Sequence, residues 1–195
     1  MSELMSYNHL RDHLLSISHG RDRALLCTIY AGMARIGEVV RGRYKHTRAL
    51  HSEDVKVLPN KIELYIKSEK GDRPRKVPVF RNREAWLIDV VTGWVELNPG
   101  LLFDISTRRA EQIFSKWFPE IAGNRGGDVD GSKHTVHWLR GWRYSHYRRG
   151  SVTGKPVESK VASLLGGWVS SAVPEKYYDL TKIEDYEEDL ENLEV

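Results

Sequence analysis

The feature that most constrains the fold is a hydrophobic period that changes and then changes back. Tyr7, Leu10, Leu14, Leu15 and Ile17 fall at helical spacing, and so do Leu25, Leu26, Ile29, Tyr30 and Met33, with Asp22 placed to cap the second run. From Val55 the period becomes two. Val55–Leu58, a Pro59-Asn60 turn and Ile62–Ile66 read as a β-hairpin, with Leu64 and Ile66 alternating with polar neighbours. A second turn at Lys70-Gly71-Asp72 leads to Val77-Pro78-Val79, where Pro78 confines the strand to an edge or a strand end. The helical period then returns. It predicts helices over Asn82–Glu96, from Ser106 to Phe118, near His137–Arg149, over Pro156–Leu165 with proline in the first turn, and around Pro174–Leu180. Ala122–Lys133 reads as a Gly/Asp loop. The fold class is mainly α with a small three-stranded antiparallel β-sheet (α+β), and no internal repeat is present.

Length sets the scale. One unit is expected over 1–180, followed by a short tail over 181–195. No apolar run reaches the roughly 18–20 residues of a membrane span, so no membrane role is expected. Met1–Asn8 has no apolar signal region. The single cysteine, Cys27, excludes an internal disulfide and a cysteine-built zinc site, which fits a reducing cytoplasmic or intracellular setting.

The net charge of +3 hides an asymmetry. Residues 179–195 carry eight acidic side chains and one lysine, while 1–178 carry 29 Lys and Arg against 19 Asp and Glu. A basic body points to a polyanionic partner, though a solvated surface with an acidic tail has the same composition. In the tail, Ile183, Tyr186, Leu190 and Leu193 are spaced 3, 4, 3, an apolar stripe on an acidic helix that needs a surface to pack on.

Three short stretches hold residues suited to chemistry. Arg35 sits in an otherwise apolar run with Glu38 one turn later; a surface i,i+3 ion pair would account for the two taken alone. His137 and Arg140 share one helical face. His134 and His137 could ligate a metal, but the sequence supplies no two further ligands nearby, so no metal and no cofactor is expected. Leu165-Gly166-Gly167-Trp168 ends a helix in the manner of a glycine C-cap and is followed nine residues later by Tyr177.

In this order the pieces resemble the catalytic domain of tyrosine recombinases, the phage-type integrases, over about residues 7–180. Arg35-Ile36-Gly37-Glu38 is similar to that family's R-[IL]-x-E helix. Glu69 through Val79 is similar to its lysine hairpin, with Lys70 at the lysine and Lys67 and Lys76 as rivals. His137-Trp138-Leu139-Arg140 matches H-x-L-R, Gly166-Gly167-Trp168 matches its G-G-W variant, and Tyr177, with Tyr178 as rival, stands at the nucleophile's step. Ala34 lengthens the turn before Arg35, Gly141 replaces a frequent histidine, and Gly150–Lys155 is an insertion. The family's N-terminal DNA-clamping domain has no counterpart in this sequence.

The resemblance implies a site-specific recombinase or integrase that cleaves and rejoins DNA through a 3′-phosphotyrosine, without metal or ATP, in a prokaryotic or viral mobile-element context. Arg35 and Arg140 would fork onto the phosphate, Glu38 would orient Arg35, and Lys70 would protonate the leaving hydroxyl. His137 would serve as base or hydrogen-bond partner, Trp168 as an indole donor, and Tyr177 as the nucleophile. Double-stranded DNA is the implied partner. Arg41, Arg43, Lys45 and Arg48, together with Arg143, Arg148 and Arg149, read as backbone contacts. The tail would support a dimer or tetramer on DNA. A type IB topoisomerase-like enzyme shares the residue set, and an inactive DNA-binding protein of the same fold is the alternative from another class.

Overall fold

The computed structural model describes residues 5–41, 48–67, 74–122 and 136–177, with only the backbone of Ala122, Lys176 and Tyr177. The expected hairpin is present. Strands β1 (Val55–Leu58), β2 (Lys61–Ile66) and β3 (Arg75–Phe80) form an antiparallel sheet in sequence order. Register pairs Ile62 with Val79 and Leu64 with Val77 on the buried face, and Tyr65 with Lys76 on the exposed one. Pro78 lies in β3, an edge strand, where its missing N–H breaks no central ladder.

Helices pack on one face of this sheet, and its other face is exposed at Tyr65 and Lys76. The helices are α1 (Tyr7–Ser16), α2 (Gly20–Ala31), α3 (Ile36–Val39), α4 (Arg81–Leu97), α5 (Thr107–Trp117), α6 (Pro119–Ala122), α7 (His137–Arg148), α8 (Ser159–Gly166) and α9 (Ala172–Tyr177). Helix α2 is the centre of the core. Every side chain from Ala24 to Ala31 is buried, as expected of a helix packed on all sides. Ser106 caps α5 by accepting the Arg109 N–H at 3.2 Å. Among the described residues no helix is long and apolar enough to cross a membrane.

Three expectations are corrected. His19, not Asp22, caps α2; Asp22 lies buried in its first turn and accepts the Trp117 indole N–H at 3.1 Å. Helix α8 begins at Ser159 after an extended Glu158, three residues beyond Pro156. The helical run holding Arg35 is two helices, because the chain turns at Gly32-Met33, where Met33 adopts a left-handed φ of 44°. The loop over Ala122–Lys133, the turn at Lys70–Asp72 and the tail over 181–195 lie outside the described residues, apart from Ala122.

A polar network runs through the core. Helix α4 is broken at Glu84, which has non-helical φ and ψ. Its carboxylate takes both ends of the Arg143 guanidinium, with Arg143 Nη2 at 2.6 Å from Oε2. Arg143 also donates to the Tyr147 hydroxyl at 2.9 Å and stacks over the rings of Tyr30 and Tyr147. One turn later, His146 Nε2 lies 2.8 Å from the Met5 carbonyl, so that nitrogen carries the proton, and Nδ1 accepts from the Tyr30 hydroxyl at 2.8 Å.

Burial holds the His146 imidazole down at about 4, with the charges of Arg143 and Arg149 adding to the effect and the Met5 carbonyl opposing it. The unfolded chain takes up this proton below about 6.5, and the folded chain only near 4. Stability is therefore expected to fall as pH drops from 6.5 to 4, by up to about 3 kcal/mol from this group. Urea titrations across that range test it: a His146→Asn variant should show a shallower slope.

Candidate active site

The site is built where α2, α3, β3 and α8 meet. The Gly32-Met33 turn redirects the chain so that Arg35 stands at the N-terminus of α3, not within a helix. Glu38 reaches back to accept the Arg35 backbone N–H at 2.8 Å, and its Oε1 lies 3.4 Å from Arg35 Nη1. The Glu38 side chain is fully buried and that of Arg35 is 18% exposed. A surface ion pair does not describe this arrangement.

Glu38 has a stronger partner. Arg75 donates from Nη2 to Glu38 Oε2 at 2.9 Å and from Nη1 to Oε1 at 3.3 Å. Its Nη2 also meets the Met33 carbonyl at 3.1 Å, and its Nε the Leu165 carbonyl at 3.0 Å. Sequence reasoning passed over Arg75 as a site residue. The available signal was phase: Arg75 lies two residues before Val77 and four before Val79, on the face of β3 that turns inward.

The glycine pair does more than end α8. Gly167 is left-handed, at φ 77°, and a Cβ there would come within 2.9 Å of Arg75 Nη1. A Cβ on Gly166 would fall 1.9 Å from the Trp168 ring. The missing side chains let the indole fold back on the helix end. There the Arg140 guanidinium lies 4.0 Å from the Trp168 ring centroid and donates from Nη2 to the Gly166 carbonyl at 2.7 Å. Tyr144 meets the same indole edge-on at 5.7 Å. Three guanidinium groups thus gather around one carboxylate and two helix-end carbonyls; Arg75 is committed to these protein partners, and Arg35 and Arg140 are the two candidates for meeting an anion.

The other expected site residues are placed as follows. His137 opens α7 on its exposed side, one turn before Arg140. The backbone of Tyr177 ends α9, five residues after that helix begins at Ala172. Helix α9 is fastened to α8: Ser159 bonds the Glu175 carboxylate, and its Oγ lies 2.9 Å from the Tyr144 hydroxyl. Lys70, Arg43, Lys45, His134 and Tyr178 lie outside the described residues. Of the rival lysines, Lys67 is paired at 2.9 Å with the buried Asp54, and Lys76 is exposed on β3.

Arg41 is exposed and paired with Asp104 at 2.9 Å, and Arg48 is exposed and paired with Glu53. Arg148 is half-buried and donates to the Val157 carbonyl at 2.8 Å; Arg149 is half-buried. The expectation that Arg143 contacts DNA is corrected. Its side chain has no exposed surface and is committed to Glu84, because residue 143 faces the core with Leu139, Trp142 and His146. Among the described residues no three His, Cys, Asp or Glu side chains stand where they could hold a metal.

No protein-family profile and no curated protein sequence matches the chain. Solved structures do. One of XerA recombinase matches over all of this chain and 66% of that one, at 18% identity and a TM-score of 0.69. The XerH site-specific recombinase in its post-cleavage complex with palindromic difH substrate matches over 96% of this chain and 52% of that one, at 18% identity and a TM-score of 0.67. The chain has the fold of a tyrosine recombinase catalytic domain. The Tn1549 transposon integrase, bound to transposon right-end DNA, matches over 98% of this chain and 66% of its own, at 12% identity and a TM-score of 0.57. The chain therefore spans between half and two thirds of these recombinase-fold proteins.

Proposed function

We propose that this chain is the catalytic unit of a DNA strand transferase of the recombinase or integrase type. The observation that carries this reading is a pair of arginine sites linked through Arg75: Arg35 on Glu38, and Arg140 on the Gly166 carbonyl and the Trp168 ring, with Trp168 four residues ahead of the helix that ends at Tyr177. Double-stranded DNA as substrate is supported by the basic body of the chain and by the DNA held in two of the structures it resembles.

In this mechanism the Tyr177 oxygen attacks the scissile phosphorus. The bond from phosphorus to the 5′-oxygen breaks, and the 5′-oxygen leaves with a proton from Lys70. Negative charge grows on the non-bridging oxygens, where Arg35 and Arg140 place their forks and Trp168 an indole N–H. An ordinary phenol ionises near 10; His137 would take the proton of the attacking phenol, and the guanidinium charge held on the phosphate would favour the phenolate. The product, a 3′-phosphotyrosine, keeps the energy of the phosphodiester. A 5′-hydroxyl reverses the step on the same or another strand, and no nucleotide is consumed.

The test uses nicked duplexes of randomised sequence that trap cleavage, incubated with protein in EDTA and resolved under denaturing conditions. The wild type should give a protein–DNA band. Arg140→Ala should form it about 100- to 1,000-fold more slowly, the range expected when one donor to developing charge is lost. An unchanged rate would remove Arg140 from the site.

Residues 181–195 are proposed to dock on a neighbouring protomer through Tyr186, Leu190 and Leu193. Deleting them should abolish dimers or tetramers on DNA in sedimentation. Unchanged assembly would refute the docking role.

A further inference from the structure

We propose that Arg75 is a positioning residue that joins the two halves of the phosphate site, an inference that rests on the strand-transferase reading. Residue 75 pairs with Ile66 and sits in phase with the buried Val77 and Val79, where a strand ordinarily carries an apolar side chain. The arginine side chain there is only 6% exposed, and that of Glu38 is fully buried. Such a charge is kept only with partners for its donors.

Those partners fall on the segments that carry the site. On one side, the Met33 carbonyl and both Glu38 oxygens hold Arg75 against the turn and helix that present Arg35. Glu38 Oε1 is shared, at 3.3 Å from Arg75 and 3.4 Å from Arg35. On the other side, the Leu165 carbonyl ties Arg75 to the end of α8, and Arg140 takes the next carbonyl, Gly166. Arg75 thus links the turn and helix that present Arg35 to the helix end whose last carbonyl Arg140 takes. Its Nε, Nη1 and Nη2 are all engaged with protein, so it has no part in holding the anion.

The role requires an arginine. Its planar fork meets a carboxylate at two points and a carbonyl at a third, which the single ammonium of lysine does not reproduce. The absence of a side chain at Gly167 leaves room for that fork.

The test measures DNA affinity and the single-turnover rate of covalent adduct formation for Arg75→Lys and Arg75→Gln. Arg75→Gln strands the buried Glu38 and can fail to fold, so the Arg75→Gln/Glu38→Gln pair, which removes both buried charges, accompanies it. Each is also made with Arg35→Ala. DNA affinity and its salt dependence should stay at wild-type values, while the rate falls about a hundredfold, as for a misplaced reacting group. In the Arg35→Ala background the same change should cost much less, because Arg75 acts partly through Arg35.

A salt slope lowered by about one would mean that Arg75 itself meets a phosphate, and would overturn the proposal. Unchanged rates, or losses that simply multiply with Arg35→Ala, would overturn it too. If the wild type forms no adduct at all, the strand-transferase reading falls and takes this inference with it, an outcome distinct from a reactive wild type with unaffected variants.

Discussion

A Tyr177→Phe variant is expected to form no covalent adduct with DNA while keeping its fold and its DNA affinity. The change removes one oxygen, and in the proposed mechanism that oxygen is the only atom of the protein that becomes bonded to phosphorus. The loss should be at least a thousandfold, since removing a nucleophile costs no less than removing a group that assists it. The helix that carries Tyr177 is tied to the site. Helix α9 is fixed by the buried Pro174 and by the Glu175–Ser159–Tyr144 chain, and Tyr144 packs on Trp168, which lies against Arg140. Tyr178→Phe should leave adduct formation within a few-fold of the wild type on the denaturing gel. Loss in Tyr178→Phe alone would move the nucleophile by one residue and keep the reaction class.

The second large effect concerns stability. Glu84→Ala leaves the guanidinium of Arg143 buried with no carboxylate against it. Breaking a buried pair from one side typically costs about 3–5 kcal/mol. In a chain of this size that lowers the midpoint of thermal unfolding by roughly 10 °C. The paired change Glu84→Gln/Arg143→Met removes both charges and should recover much of the loss, because the pair repays its own desolvation poorly. Differential scanning calorimetry of both variants tests this. A shift below 2 °C for Glu84→Ala would show that water reaches Arg143. The paired variant should also keep the wild-type salt dependence of DNA binding, since Arg143 offers no surface to a phosphate.

The parts of the fold that sequence made legible are those governed by local periodicity. Residues 55–66 alternate and turn at Pro59-Asn60, and the hairpin stands where that pattern puts it. The break between α2 and α3 was not legible. It depends on Met33 adopting a left-handed backbone, which no propensity of methionine signals and which neighbouring packing must enforce.

The charged residues of the core escape the sequence reading for a related reason: Arg143 reads as a DNA contact, and Arg75 and Glu84 are not singled out. Arg75, Glu84 and Arg143 each lie in phase with apolar neighbours, yet long charged side chains are assigned to the surface by default. Their partners are 37 residues away for Arg75 with Glu38 and 59 away for Arg143 with Glu84, too far for any local pattern to pair them. Arg35 and Arg140 were singled out through motif order. What the sequence could not convey was that Glu38 is held mainly by Arg75, and that Gly166 and Gly167 are required by Trp168 and Arg75 rather than by the helix cap alone.

The most direct test of the account maps the bond itself. Adduct formed in EDTA on a nicked duplex is digested with nuclease and trypsin and fragmented in a mass spectrometer. Cleavage after Lys176 and Lys182 isolates the six residues Tyr177 to Lys182, so fragment ions separate Tyr177 from Tyr178. The account predicts a nucleotide joined through its 3′-phosphate to the oxygen of Tyr177, with a free 5′-hydroxyl on the released strand. An adduct through a 5′-phosphate, an adduct on a residue other than tyrosine, or no adduct from a folded, DNA-bound protein would contradict it.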